Sequence, residues 1–184
     1  MERITILSFS NRDNGNCSAI SDYIADFLGD SEAAVKQMSG RFSPCSDCNY
    51  ECLRLGVSCP SISAEQRAMM DSVLESDVVY YIIPNFCGFP CANYLSFNER
   101  CVSYFNMDRE LMGRYMRVRK RFIVVSNTEN DNFVMALRQQ TATDPEILYM
   151  KTSKYKKQSI AGDILESVDA QADLEQFLKL PHNP

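Results

Sequence analysis

Short β-branched apolar runs alternate along this chain with stretches whose apolar residues recur at helical spacing, and that alternation most constrains its fold. Residues 3–9 (RITILSF), 33–38, 78–83 (VVYYII), 121–126 (RFIVVS) and 146–150 read as strands. Residues 18–28 read as a helix with Ile20, Tyr23, Ile24, Phe27 and Leu28 on one stripe, stopped by Gly29 and Asp30. Residues 63–75 form a second helix, opened by Ser63 and Gln66 as a capping box. Helical segments follow at 92–104, 109–117, 133–140 and 170–180. Strands joined through helices require right-handed crossovers, hence a parallel sheet covered on both faces. VVYYII is apolar on both faces, as a central parallel strand must be.

Five such strands suit the three-layer, flavodoxin-like α/β order 2-1-3-4-5. The 184 residues are enough for one domain with a full core, and no linker or internal repeat divides them. Ligands on such a sheet sit beyond the carboxyl ends of the strands, where the order reverses between the first and third. That rule brings together two loops, 10–18 and 84–88. A net charge of −5 argues against nucleic acid or an anionic membrane surface as the main partner. No apolar run approaches the roughly 20 residues of a membrane helix, and the N-terminus lacks a signal peptide's long apolar stretch. A cytoplasmic protein is expected, in which the eight cysteines serve as metal ligands or free thiols.

The segment 10–18, SNRDNGNCS, joins the first strand to the first helix. A phosphate group needs backbone N–H groups, hydroxyl donors and the positive end of a helix dipole. Ser10 and Ser18 offer hydroxyls, Asn16 an amide, Arg12 a cationic fork, and Gly15 backbone freedom. Helix capping and chain reversal account for the same Ser and Asn residues. Neither a Walker A pattern nor GxGxxG is present.

This segment resembles the SxRxxGNT/S phosphate loop of the NADPH-dependent FMN reductase family and its iron-sulfur flavoprotein relatives. Cys17 stands where that family often has Thr, so its main contribution there is a backbone N–H. The stretch 71–88 (DSVLESDVVYYIIPNFCG) is similar to the family's helix, acidic turn and strand ending in a Pro-aromatic loop. Residues 159–180 are similar to its closing segment. The resemblance implies FMN as cofactor, NAD(P)H as co-substrate and a homodimer. It implies Pro84, Asn85, Phe86, Cys87 and Gly88 beside the isoalloxazine, with Ser126, Asn127 and Thr128 approaching the same ring. Core packing is the competing reading for Phe86 and Phe89.

Cys45, Cys48, Cys52 and Cys59 stand in the long loop 40–60 at spacing C-x2-C-x3-C-x6-C. Three readings stand: a [4Fe–4S] cluster, a structural zinc, and reduced thiols without metal. Iron-sulfur flavoproteins carry a compact cysteine motif in the corresponding place, with two residues in the second gap where this chain has Asn49, Tyr50 and Glu51. Cys87 and Cys91 form a second spacing beside the implied flavin, and Cys101 reads as core. The single histidine, His182, lies in a polar tail. Arg114, Arg117, Arg119, Lys120 and Arg121 read as a solvated helix face, or as a contact for an NADPH phosphate or an acidic partner. Lys151, Lys154, Lys156 and Lys157 carry the same two readings. Met69, Met70, Met107 and Met112 read as core or dimer contacts.

The implied activity is transfer of electrons from reduced nicotinamide, through FMN, to a flavin, quinone or other acceptor. A non-enzymatic electron carrier, an iron-sulfur or thiol redox module, and a fold relative that has lost flavin are the alternatives.

Overall fold

β1 (Arg3–Ser8) pairs in parallel with both β2 (Ala34–Ser39) and β3 (Val78–Phe86). β4 (Phe89–Pro90) folds back antiparallel on β3, whose other edge carries β5 (Arg119–Ser126) and then β6 (Glu146–Lys151), both parallel. This computed structural model describes residues 1–29, 33–45, 48–54, 56, 57, 59–127 and 131–180. Asp30, Asp47, Thr128 and His182 lie outside the described residues. The order β2-β1-β3-β5-β6 is the flavodoxin-like order expected, with β4 as a small ribbon off the main path.

Among the described residues, six α-helices cover the sheet: α1 (Asn16–Gly29), α2 (Ala64–Glu75), α3 (Ala92–Phe105), α4 (Arg109–Arg117), α5 (Asp131–Arg138) and α6 (Val168–Lys179). Successive strand side chains point to opposite faces, so β3 feeds two cores. Val79, Tyr81 and Ile83 pack with α2, α3, α4 and α5. Val78, Tyr80 and Ile82 pack with α1 and α6. Ile6, Ile20 and Ile82 are fully buried, each worth on the order of 1.5–3 kcal/mol of apolar transfer. The Ser63 capping box is present: its hydroxyl accepts from Gln66 N at 3.0 Å, and Gln66 Oε1 accepts from Ser63 N at 3.1 Å.

The basic stretch before the fourth expected strand departs from a solvated face. β5 begins at Arg119, so Lys120 and Arg121 lie inside the sheet, 3% and 0% exposed. Arg121 donates to Tyr80 Oη at 3.1 Å and lies 4.1 Å from the Phe177 ring. Arg119 pairs with Glu146 at 2.9 Å. These residues occupy the amino end of β5, away from the carboxyl ends where the two candidate loops meet. Met69 and Met70 are core, whereas Met107 and Met112 are exposed. No helix among the described residues is long and apolar enough to cross a membrane.

Candidate functional site

β1 and β3 end side by side, and their loops diverge to opposite faces, which opens a crevice. The crevice is a cavity of about 330 Å³. Ser10, Arg12, Asn16 and Cys17 form one side, and Pro84, Asn85, Phe86 and Asn127 the other. Its volume falls at the lower end of small-molecule sites, roughly 300–1,000 Å³.

On the first side, the hydroxyls hold the loop's own backbone. Ser10 Oγ accepts from Arg12 N at 3.1 Å and donates to Arg12 O at 3.3 Å, while Ser18 Oγ donates to the same carbonyl at 3.0 Å. The first turn of α1 carries no acidic residue, so nothing there neutralises the positive end of its dipole. Ser18 faces a second cavity, about 640 Å³, which shares Ser10 and Arg12 and extends past Gln37, Ser39 and Arg41.

Two loop residues differ from expectation. Gly15 does not adopt a left-handed backbone, and an added Cβ would meet Arg12 Cβ at an ordinary 3.6 Å. The loop therefore does not need glycine there. Asn16 is buried and its whole carboxamide is committed: Nδ2 donates to Gln158 O and Ser159 O at 3.2 and 3.3 Å, and Oδ1 accepts from Ile164 N at 3.0 Å. It offers an anion its backbone N–H, not its amide. Cys17 is also buried; desolvation pushes its thiol up to about 12, and neighbouring Cys91 pushes the same way. It is a neutral thiol at the cavity wall.

On the second side, β3 does not stop at Ile83 but runs to Phe86 and reverses through Cys87 and Gly88. Both have positive φ, 53° and 87°, which is the type I′ turn of a two-residue hairpin. Asn85 braces that hairpin, accepting from Gly88 N at 2.9 Å and donating to Ser126 Oγ at 2.5 Å. Phe86 and Phe89 are 61% and 55% exposed, so core packing does not describe them. Asn127 is fixed to the turn after β6 by Thr152 Oγ1 and by Ser153 Oγ at 3.2 Å. Cys87 and Gly88 lie at the hairpin tip and Ser126 behind Asn85, outside the cavity lining. Ser159 and Ile160, from the loop after β6, complete that lining. The sequence resemblance includes both in the closing segment 159–180 but implies no ligand role for them.

The cysteine loop lies along α3. Arg100, buried on α3, donates Nε to Ser43 O at 3.0 Å, Nη2 to Pro44 O at 2.6 Å and Nη1 to Cys59 Sγ at 3.6 Å. Asn93 accepts from Phe42 N at 2.7 Å and donates to Gly40 O at 2.7 Å. Burial pushes the Cys52 thiol up, and Cys59, Cys48 and Cys45 push it the same way. Among the described residues, no group of three Cys, His, Asp or Glu side chains is arranged to hold a metal ion.

No protein-family model matches the sequence, and no curated protein matches it. Solved structures do. A candidate quinone reductase from Klebsiella pneumoniae superposes with a TM-score of 0.63 at 13% identity, covering 99% of this chain and 86% of that one. RosB, solved with bound 8-demethyl-8-formylriboflavin-5′-phosphate, gives 0.58 at 9% identity over 99% and 82%. FerB, a flavoenzyme NAD(P)H:acceptor oxidoreductase from Paracoccus denitrificans, gives 0.55 at 9% identity over 97% and 96%. At these identities the shared property is the fold.

Proposed function

We propose that this chain is an FMN-dependent oxidoreductase that takes electrons from NAD(P)H and passes them to a flavin, quinone or other small acceptor. One observation carries the reading: the helix-start loop and the β3 hairpin bound a single cavity at the point where the strand order reverses. The likeness in fold to a flavoenzyme NAD(P)H:acceptor oxidoreductase, and to a protein solved with a riboflavin phosphate derivative bound, supports it.

The residues present fit a phosphorylated flavin. The start of α1, whose first backbone N–H groups have no partner within the helix, lines the cavity together with Arg12, and the loop is already shaped by Ser10 and Ser18. Pro84 and the exposed ring of Phe86 offer flat apolar surface for a planar ligand. Bound flavin would supply the hydride and electron chemistry; the chain supplies orientation, desolvation and fixed dipoles. Asn85 keeps the hairpin at a set distance from β5, and the neutral Cys17 thiol adds no negative charge near the phosphate.

A homodimer that covers Phe86 and Phe89, and a cytoplasmic setting, belong to the same proposal. The test is anaerobic titration with FMN, followed by NADH or NADPH oxidation with quinone and flavin acceptors. Saturable binding with acceptor-dependent turnover is expected. Reversible flavin reduction without turnover on any acceptor would instead make the chain an electron carrier, and absence of flavin binding would overturn the reading.

A further inference from the structure

The loop between β6 and α6 is tied to the phosphate-loop segment at two levels and braced within itself at a third. From inside, the buried carboxamide of Asn16 bonds Gln158 O, Ser159 O and Ile164 N, as described above. From outside, Gly162 lies against the loop with φ at +77°, and a Cβ there would sit 3.0 Å from Asn14 O and 3.6 Å from Gly15 Cα. At its base, Lys157 Nζ pairs with Glu166 at 2.7 Å and with Asp163 at 3.4 Å. These ties hold Ser159 and Ile160 in the lining of the cavity, opposite the β3 hairpin. Ile160 is 66% exposed there, a branched apolar side chain at the mouth of a polar loop.

We infer that segment 158–162 is a fixed third wall of the ligand cavity, with Ile160 as the apolar contact that covers a planar ring and Asn16 as the positioning residue that latches the wall to the phosphate loop. The inference rests on the flavin reading above. It gives the cavity a selectivity: a ligand that carries a ring gains from Ile160, whereas inorganic phosphate, which meets only the helix start and Arg12, does not. It also couples the two ends of the ligand, because Asn16 both opens α1 and holds the wall.

Ile160→Ser and Asn16→Ala test this, with Asn16→Asp as the conservative variant that keeps the acceptor for Ile164 N. FMN and riboflavin affinities are read from flavin fluorescence, ring exposure from iodide quenching, and inorganic phosphate from competition. Ile160→Ser is expected to weaken FMN and riboflavin by the same factor, about tenfold, and to increase iodide quenching, with phosphate competition unchanged. Asn16→Ala is expected to weaken FMN further and to expose the Lys157 peptide bond to trypsin without ligand, with partial recovery in Asn16→Asp. Wild-type affinity and unchanged quenching in Ile160→Ser overturn the role of Ile160. Should the wild-type chain bind neither FMN nor riboflavin, the flavin reading fails and the role of Ile160 fails with it. The trypsin comparison decides the latch in either case: equal cleavage of wild type and Asn16→Ala overturns it.

Discussion

Arg100 Nη1 lies 3.6 Å from Cys59 Sγ, and the same guanidinium bonds the carbonyls of Ser43 and Pro44, so one side chain fastens both ends of the cysteine loop to α3. It is 1% exposed and pairs with no carboxylate among the described residues. A buried cation is tolerated only when its hydrogen bonds are made. Here they are made to the loop, so loop and arginine hold each other.

Replacing Arg100 with Leu removes the charge and the fastening together. We expect a loss of about 2–4 kcal/mol in urea unfolding. The sharper readout is local: Cys59 and Cys52, buried in the native chain, should become alkylated at the rate of Cys45. Native protection of Cys59 in the variant would show that the loop is held by something else.

Cysteine accessibility divides the eight thiols without mutation. Cys45 and Cys87 are exposed, Cys87 at the hairpin tip, while Cys17 and Cys101 are buried with thiols pushed up to about 12 by desolvation. Iodoacetamide at pH 8 followed by peptide mass mapping should label Cys45 and Cys87 first and leave Cys17 and Cys101 unmodified. Early labelling of Cys17 would mean that the helix start opens in solution.

The two glycines near the site should respond oppositely to alanine. Gly15 has ordinary space for a Cβ, 3.6 Å from Arg12 Cβ, and no left-handed backbone. Gly15→Ala is therefore expected within about 0.5 kcal/mol of wild type. Gly162 has φ +77° and backbone 3.0 Å from the added carbon, with no flexible side chain to yield. Gly162→Ala is expected to cost about 1–3 kcal/mol, measured as a shift in thermal or urea midpoint.

That contrast shows what a sequence can and cannot disclose here. Periodicity located each main strand, and the Ser63–Gln66 box marked the start of α2, because those signals lie within a few residues of their effect. Gly15 sits in a loop of recognisable composition; Gly162, the constrained glycine, sits in the closing segment 159–180, which carries no ligand motif. Asn16 read as a phosphate donor because its real partners are Gln158 and Ser159, far along the chain. The hairpin at Cys87 and Gly88 lacks the usual Asn-Gly signal, so residues 84–90 read as a simple turn. Lys120 and Arg121 read as surface because charge is normally exposed, and only the packing of Tyr115 and Phe177 shows otherwise.

Lys120 makes the fold's stability depend on pH in a direction that can be worked out. It is 3% exposed, lies 4.2 Å from the Tyr115 ring centre, and donates to Tyr115 O and to Val118 O, the latter at 3.2 Å. Burial lowers its pKa from 10.5 to about 7. Between about 7 and 10.5 the unfolded chain binds a proton that the folded chain does not, so stability rises with pH across that window. Below about 7 both states are protonated, and the full cost of burying the ammonium, on the order of a few kcal/mol, persists. Cys17 and Cys101 act oppositely above roughly pH 8.5, because their folded thiols stay protonated while unfolded ones ionise. The informative quantity is therefore the difference between wild type and Lys120→Met, taken from urea midpoints at pH 6.5, 8 and 9.5. Lys120→Met should be the more stable at pH 6.5, with the gap narrowing as pH rises. A gap that stays constant over the range would mean that the carbonyls of Tyr115 and Val118 hold Lys120 charged throughout.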